Sequence, residues 1–121
     1  MTASNTISLS AELTGLGFDE RFAKSFSTTT TITAKQHTYQ VQATADTAEA
    51  LEIGDVTTPE LILIYCVAND VDIDTSFDTS FSAEITVNEG EWAIFKPTGT
   101  VYLKNDDSSE QVTVEAFIWG T

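Results

Sequence analysis

Apolar and polar residues alternate with a period of two in one short segment after another, and turn residues separate the segments. Ile7, Leu9, Ala11 and Leu13 alternate with Ser8, Ser10 and Glu12, the pattern of a strand with one face on a core. This predicts a strand over Thr6–Leu13, ended at Gly15-Leu-Gly17. The next stretch reads two ways, because Phe18, Phe22 and Phe26 share a helical face and also share strand parity. The β-prone run Ser25–Thr33 that follows favours a strand starting at about Arg21. Lys35–Ala43 alternates through His37, Tyr39 and Val41, and Ala50–Ile53 makes a short strand closed by Gly54-Asp55.

Leu61–Ala68 is apolar on both parities, which predicts a central strand sandwiched on both faces. Val71–Ser76, Phe81–Val87, Trp92–Phe95, Val101–Lys104 and Gln111–Trp119 follow, divided by Asn88–Glu91, Pro97–Gly99 and Asn105–Ser109. The expected fold is all-β: an antiparallel β-sandwich of about nine or ten short strands, with a jelly roll as one way of winding them. No linker divides residues 1–121, so a single domain is expected, with residues 1–26 as an arm or first strand used in assembly. The one internal repeat is the tandem Asp74-Thr-Ser-Phe77, Asp78-Thr-Ser-Phe81, too short for a solenoid.

Composition narrows the partners. Thr and Ser supply 30 of 121 residues, in keeping with pleated surfaces. Five Lys+Arg face 19 Asp+Glu, a formal net charge of −14, which disfavours nucleic acid and anionic membranes as partners. The longest strongly apolar run has eight residues, Leu61–Ala68, where a bilayer-spanning helix takes about 20. One cysteine makes no internal disulfide, and Cys66 inside that run reads as a small buried hydrophobe. Met1–Ile7 lacks the basic and apolar parts of a secretory signal, so synthesis in a cytoplasm is expected.

Candidate chemistry is sparse. His37, the single histidine, sits in a strand pattern with no nucleophile motif beside it, so no enzyme is expected. Asp70, Asp72 and Asp74 are two apart, which puts three carboxylates on one strand face and turns Val71 and Ile73 inward. Ca²⁺ is the cation such oxygens would suit. The EF-hand template fails, with Thr75 at the glycine position and Phe81 at the closing glutamate, and a solvated face that discourages edge pairing is the competing reading. Trp92 and Trp119 read as core residues, with a sugar-stacking platform as the alternative.

Three segments carry a resemblance: Ala48–Pro59 running into the apolar strand, Asn88–Phe95, and the closing strand Val112–Ile118. From about Ala48 to Trp119 the chain resembles a group of small acidic all-β structural proteins of tailed bacteriophages. The resemblance implies a virion component: a capsid decoration protein, a head fibre part or a tail-associated protein that binds repeated copies of another virion protein. It implies no cofactor. A surface adhesion module, Ca²⁺-assisted or carbohydrate-binding, is the second expectation. The aromatic load adds a third: Phe18, Phe22 and Phe26 are candidate assembly contacts, in a homo-oligomer such as a trimer.

Overall fold

A computed structural model describes residues 3–42, 47–105 and 109–121. Ala43, at the end of one expected strand, and the middle of the Asn105–Ser109 turn lie outside these residues.

Ten strands follow in chain order: β1 (Ile7–Leu13), β2 (Glu20–Phe26), β3 (Ala34–Gln42), β4 (Glu49–Ala50), β5 (Pro59–Ala68), β6 (Val71–Phe77), β7 (Ile85–Val87), β8 (Trp92–Phe95), β9 (Thr100–Lys104) and β10 (Val112–Gly120). They make a two-stranded sheet β1-β2 and two four-stranded sheets, β3-β10-β5-β8 and β4-β9-β6-β7. The last eight strands pair as nested antiparallel partners: β3 with β10, β4 with β9, β5 with β8, β6 with β7. Successive pairs fall alternately in one sheet and the other. A long antiparallel ribbon folded this way is a jelly roll.

The core is what alternation dictates. Ile62, Ile64 and Cys66 from β5 and Val112, Val114, Ala116 and Ile118 from β10 meet Val71, Ile73 and Val87 of the opposite sheet, with Val101 and Leu103 from β9, all buried in one cluster. Val71 and Ile73 do turn inward. Gly120 is where β10 closes against the chain before β5: a Cβ there would overlap the Thr58 carbonyl oxygen and stand 2.9 Å from Pro59 Cα.

Four segments depart from the sequence pattern for visible reasons. The β-prone Ser27–Thr33 run is not a strand, because the Asn5 side chain captures Thr28 and the Thr33 N–H donates to the Gly120 carbonyl at 2.9 Å. The Ala50–Ile53 strand shortens to Glu49–Ala50, as Leu51 turns into the core. Phe81–Val87 shortens to Ile85–Val87, since the N–H of Ser82 donates to Asp74 instead of a ladder. β5 is interior to its sheet, but only one face is covered by the second sheet: Val67 is exposed, and Leu63 and Tyr65 are half-buried on the other. Apolar residues on both parities here mark a face that the second sheet leaves uncovered.

Candidate assembly surface

The first surface is the β1–β2 hairpin. In its antiparallel register Ile7 opposes Phe26, Leu9 opposes Lys24, Ala11 opposes Phe22 and Leu13 opposes Glu20. Directly opposed residues share a face, so the apolar residues of both strands collect on one side. The other side is polar: the Ser8 and Ser25 hydroxyls lie 3.0 Å apart and Arg21 pairs with Glu12 at 3.6 Å. At the tip, Gly15 and Gly17 have φ of 92° and 94°, backbone angles that suit glycine. Phe18, which follows them, is 100% exposed.

The root is fixed. Asn5 Nδ2 donates to Thr28 Oγ1 at 2.8 Å, the Thr28 N–H donates to Asn5 Oδ1 at 3.0 Å, and Ser27 Oγ donates to the Asn5 carbonyl at 2.7 Å. Ile7 and Leu61 are both buried although neither belongs to the core cluster, which seats the root on the outer face of the β5 sheet. A groove of about 370 Å³ opens there, lined by Leu9, Phe26 and Thr28 from the hairpin side and Leu61, Ile94 and Phe95 from the sheet. Beyond it every residue from Ser10 to Ser27 is exposed. A two-stranded hairpin is marginal in water by itself, and this one leaves Phe22 49% and Phe26 45% exposed.

The second surface is the outer face of β3-β10-β5-β8. Pairing aligns His37, Phe117, Leu63 and Ile94 in one row, and Tyr39, Glu115, Tyr65 and Trp92 in the next. The His37 and Phe117 rings stack at 4.3 Å, and Tyr65 and Trp92 meet at 4.8 Å with a 40° tilt. Glu115 lies 3.5 Å from His37 Nε2 and accepts a hydrogen bond from Tyr39, which raises the Tyr39 pKa above its ordinary value. Trp92 is 53% exposed and Tyr39 63%. The expectation of core tryptophans is therefore corrected. Trp119 is out of phase with Val112, Val114, Ala116 and Ile118, and Trp92 is out of phase with the buried Ala93, so both fall on the outer face. The outside of the second sheet is mixed: Thr86 donates to Asp72 at 2.6 Å and Ser76 Oγ donates to Glu84 at 3.1 Å, while Phe77 and Tyr102 stack at 3.7 Å and Lys104 lies over the Phe81 ring.

The three aspartates are engaged separately. Asp70 precedes β6 and is exposed. Asp72 accepts from Thr86 and stands opposite Lys104. Asp74, 2% exposed, accepts from the Ser76 N–H at 3.0 Å and the Ser82 N–H at 2.9 Å, so its carboxylate organises the β6–β7 connection. Among the described residues no three His, Cys, Asp or Glu side chains converge on a metal-sized space. β6 also has neighbours on both sides, β9 and β7, so its charges guard no sheet edge. Cys66 is fully buried, donates to the Asn69 carbonyl at 3.0 Å, and burial pushes its thiol up to about 11.

No protein-family profile, curated protein or solved structure matches the chain.

Proposed function

We propose that the protein is a structural component of a bacteriophage particle, a capsid decoration or accessory head protein that binds repeated copies of another virion protein. The observation that carries the reading is the pairing of a jelly roll with an N-terminal hairpin whose apolar face, beyond its seated root, has no cover among the described residues. A sandwich with a rooted arm suits assembly onto a repeating surface, and jelly rolls recur in virus capsids, a fold-level analogy. The resemblance of Ala48–Trp119 to small phage structural proteins points the same way. A net charge of −14 keeps such a chain dispersed before assembly. The reading is non-enzymatic and places the protein on the virion after synthesis in the host cytoplasm.

The test is a reconstruction of particles made with and without the gene. Density of about 13 kDa, repeated over the capsid lattice and lost on deletion, supports decoration. Loss confined to the tail supports the tail-associated alternative. Unchanged particles overturn both.

A further inference from the structure

We infer that the apolar face of the β1–β2 hairpin seats on the outer face of the β3-β10-β5-β8 sheet of a second copy of this chain, in a head-to-tail contact. The two surfaces match in chemistry and in size. At about 200 Å² for a fully exposed large apolar side chain, Leu13, Leu16, Phe18, Phe22 and Phe26 expose about 650 Å². By the same measure Tyr39, Val41, Val67, Trp92 and Ile94 expose about 500 Å². Hairpin and sheet face together reach about 1,150 Å², above the ~1,000 Å² that separates specific interfaces from incidental ones.

Charge permits a second copy as the occupant. Residues 7–26 hold 3 of the 19 acids and 2 of the 5 bases, which leaves 16 acids and 3 bases on the rest of the chain. The arm is therefore nearly neutral on a strongly acidic body, and it approaches another copy with little repulsion. The hairpin's apolar face carries one cation, Lys24, and one anion, Glu20, and Lys24 has a counterpart in Glu115 on the second row of the sheet face. Within one chain the root at Asn5 and Thr28 holds the hairpin so that only its first residues reach the sheet. A sugar is less well served: the stacked His37 and Phe117 rings already cover one another's faces, as the Tyr65 and Trp92 rings do in part.

A contact between two different patches is heterologous, so it closes into a ring or runs on as a fibre. That gives a test independent of the virion reading. A hairpin variant, Phe18→Ser with Phe22→Ser, and a sheet variant, Tyr39→Ser with Trp92→Ser, are compared with the parent by sedimentation velocity at micromolar concentration. The parent is expected as an oligomer and each variant alone as a monomer. Mixed, the two variants form a 1:1 dimer, because one intact hairpin meets one intact sheet. A monomeric parent, a hairpin variant that still assembles, or a mixture that stays monomeric overturns the inference. Should a double variant lose its far-ultraviolet β-signal, Phe18→Ser alone decides: it alters a fully exposed side chain, and at least a tenfold weaker association is expected, with no change overturning the claim.

Discussion

Replacing Asp74 by alanine separates a structural carboxylate from a cation ligand. The side chain is 2% exposed and accepts two backbone N–H bonds, at 3.0 Å from Ser76 and 2.9 Å from Ser82. Hydrogen bonds to a charged acceptor contribute about 1.5–3 kcal/mol each. Ser76 and Ser82 are themselves exposed, so water can take up the released N–H groups and the loss falls near the lower end, about 3 kcal/mol in all. With an unfolding entropy of about 2.1 cal/mol/K per residue, that lowers the Tm by about 12 °C for this chain length. Asp74→Asn keeps one acceptor and should lose about half as much. Urea unfolding followed by tryptophan fluorescence, with and without millimolar Ca²⁺, reads the result. Equal losses in both media are expected. A loss under about 1 kcal/mol would refute the structural role, and a Ca²⁺-dependent stabilisation of the parent that Asp74→Ala abolishes would restore the cation site.

Gly120→Ala drives a Cβ into the Thr58 carbonyl and Pro59 Cα, so a loss of about 3 kcal/mol or more is expected in the same assay; near-parental stability would contradict the closure seen there. Cys66, buried and with its thiol raised to about 11, should resist a thiol reagent at pH 8 until urea unfolds the chain, and rapid native labelling would contradict its burial. Glu84 is held below the ordinary carboxylate pKa by hydrogen bonds from the Thr75 hydroxyl, the Thr75 N–H and the Ser76 hydroxyl. A lowered folded value means its stabilisation is present above the ordinary glutamate range and is lost as pH falls through the folded value. The stability gap between parent and Glu84→Gln should therefore narrow on acidification, and a gap that is constant or widens towards low pH contradicts the assignment.

Strand existence was legible in the sequence wherever alternation was clean. β1, β3, β8, β9 and β10 lie within a residue or so of their patterns, because period-two burial leaves little freedom once one face meets a core. Winding was not legible, since the nesting of β3 with β10 and β4 with β9 depends on contacts far apart in sequence. Two of the departures share a cause. The side chains of Asn5 and Asp74 accept hydrogen bonds from the Thr28 and Ser82 N–H groups, which propensity assigns to strands. The outer aromatic face is present as a signal, but the pattern alone places Trp92 and Trp119 in the core. Tyr65, Trp92, Phe117 and Trp119 are out of phase with their buried neighbours, and a second apolar parity fits a face awaiting a partner as well as one already covered. Phe18, Phe22 and Phe26 did stand out in the sequence, but the hairpin that sets Phe22 and Phe26 on one apolar face and Phe18 at the tip becomes visible only with the β1–β2 register.

The virion assignment is tested most directly by quantitative mass spectrometry of purified particles, with the major capsid protein as the internal standard. A capsid decoration protein predicts peptides of this chain at a fixed ratio to the capsid protein, corresponding to tens to hundreds of copies per particle and unchanged by salt washing. A handful of copies would move the protein to the tail. Its absence from washed particles, with abundant protein left in the lysate, would contradict a structural role in the virion.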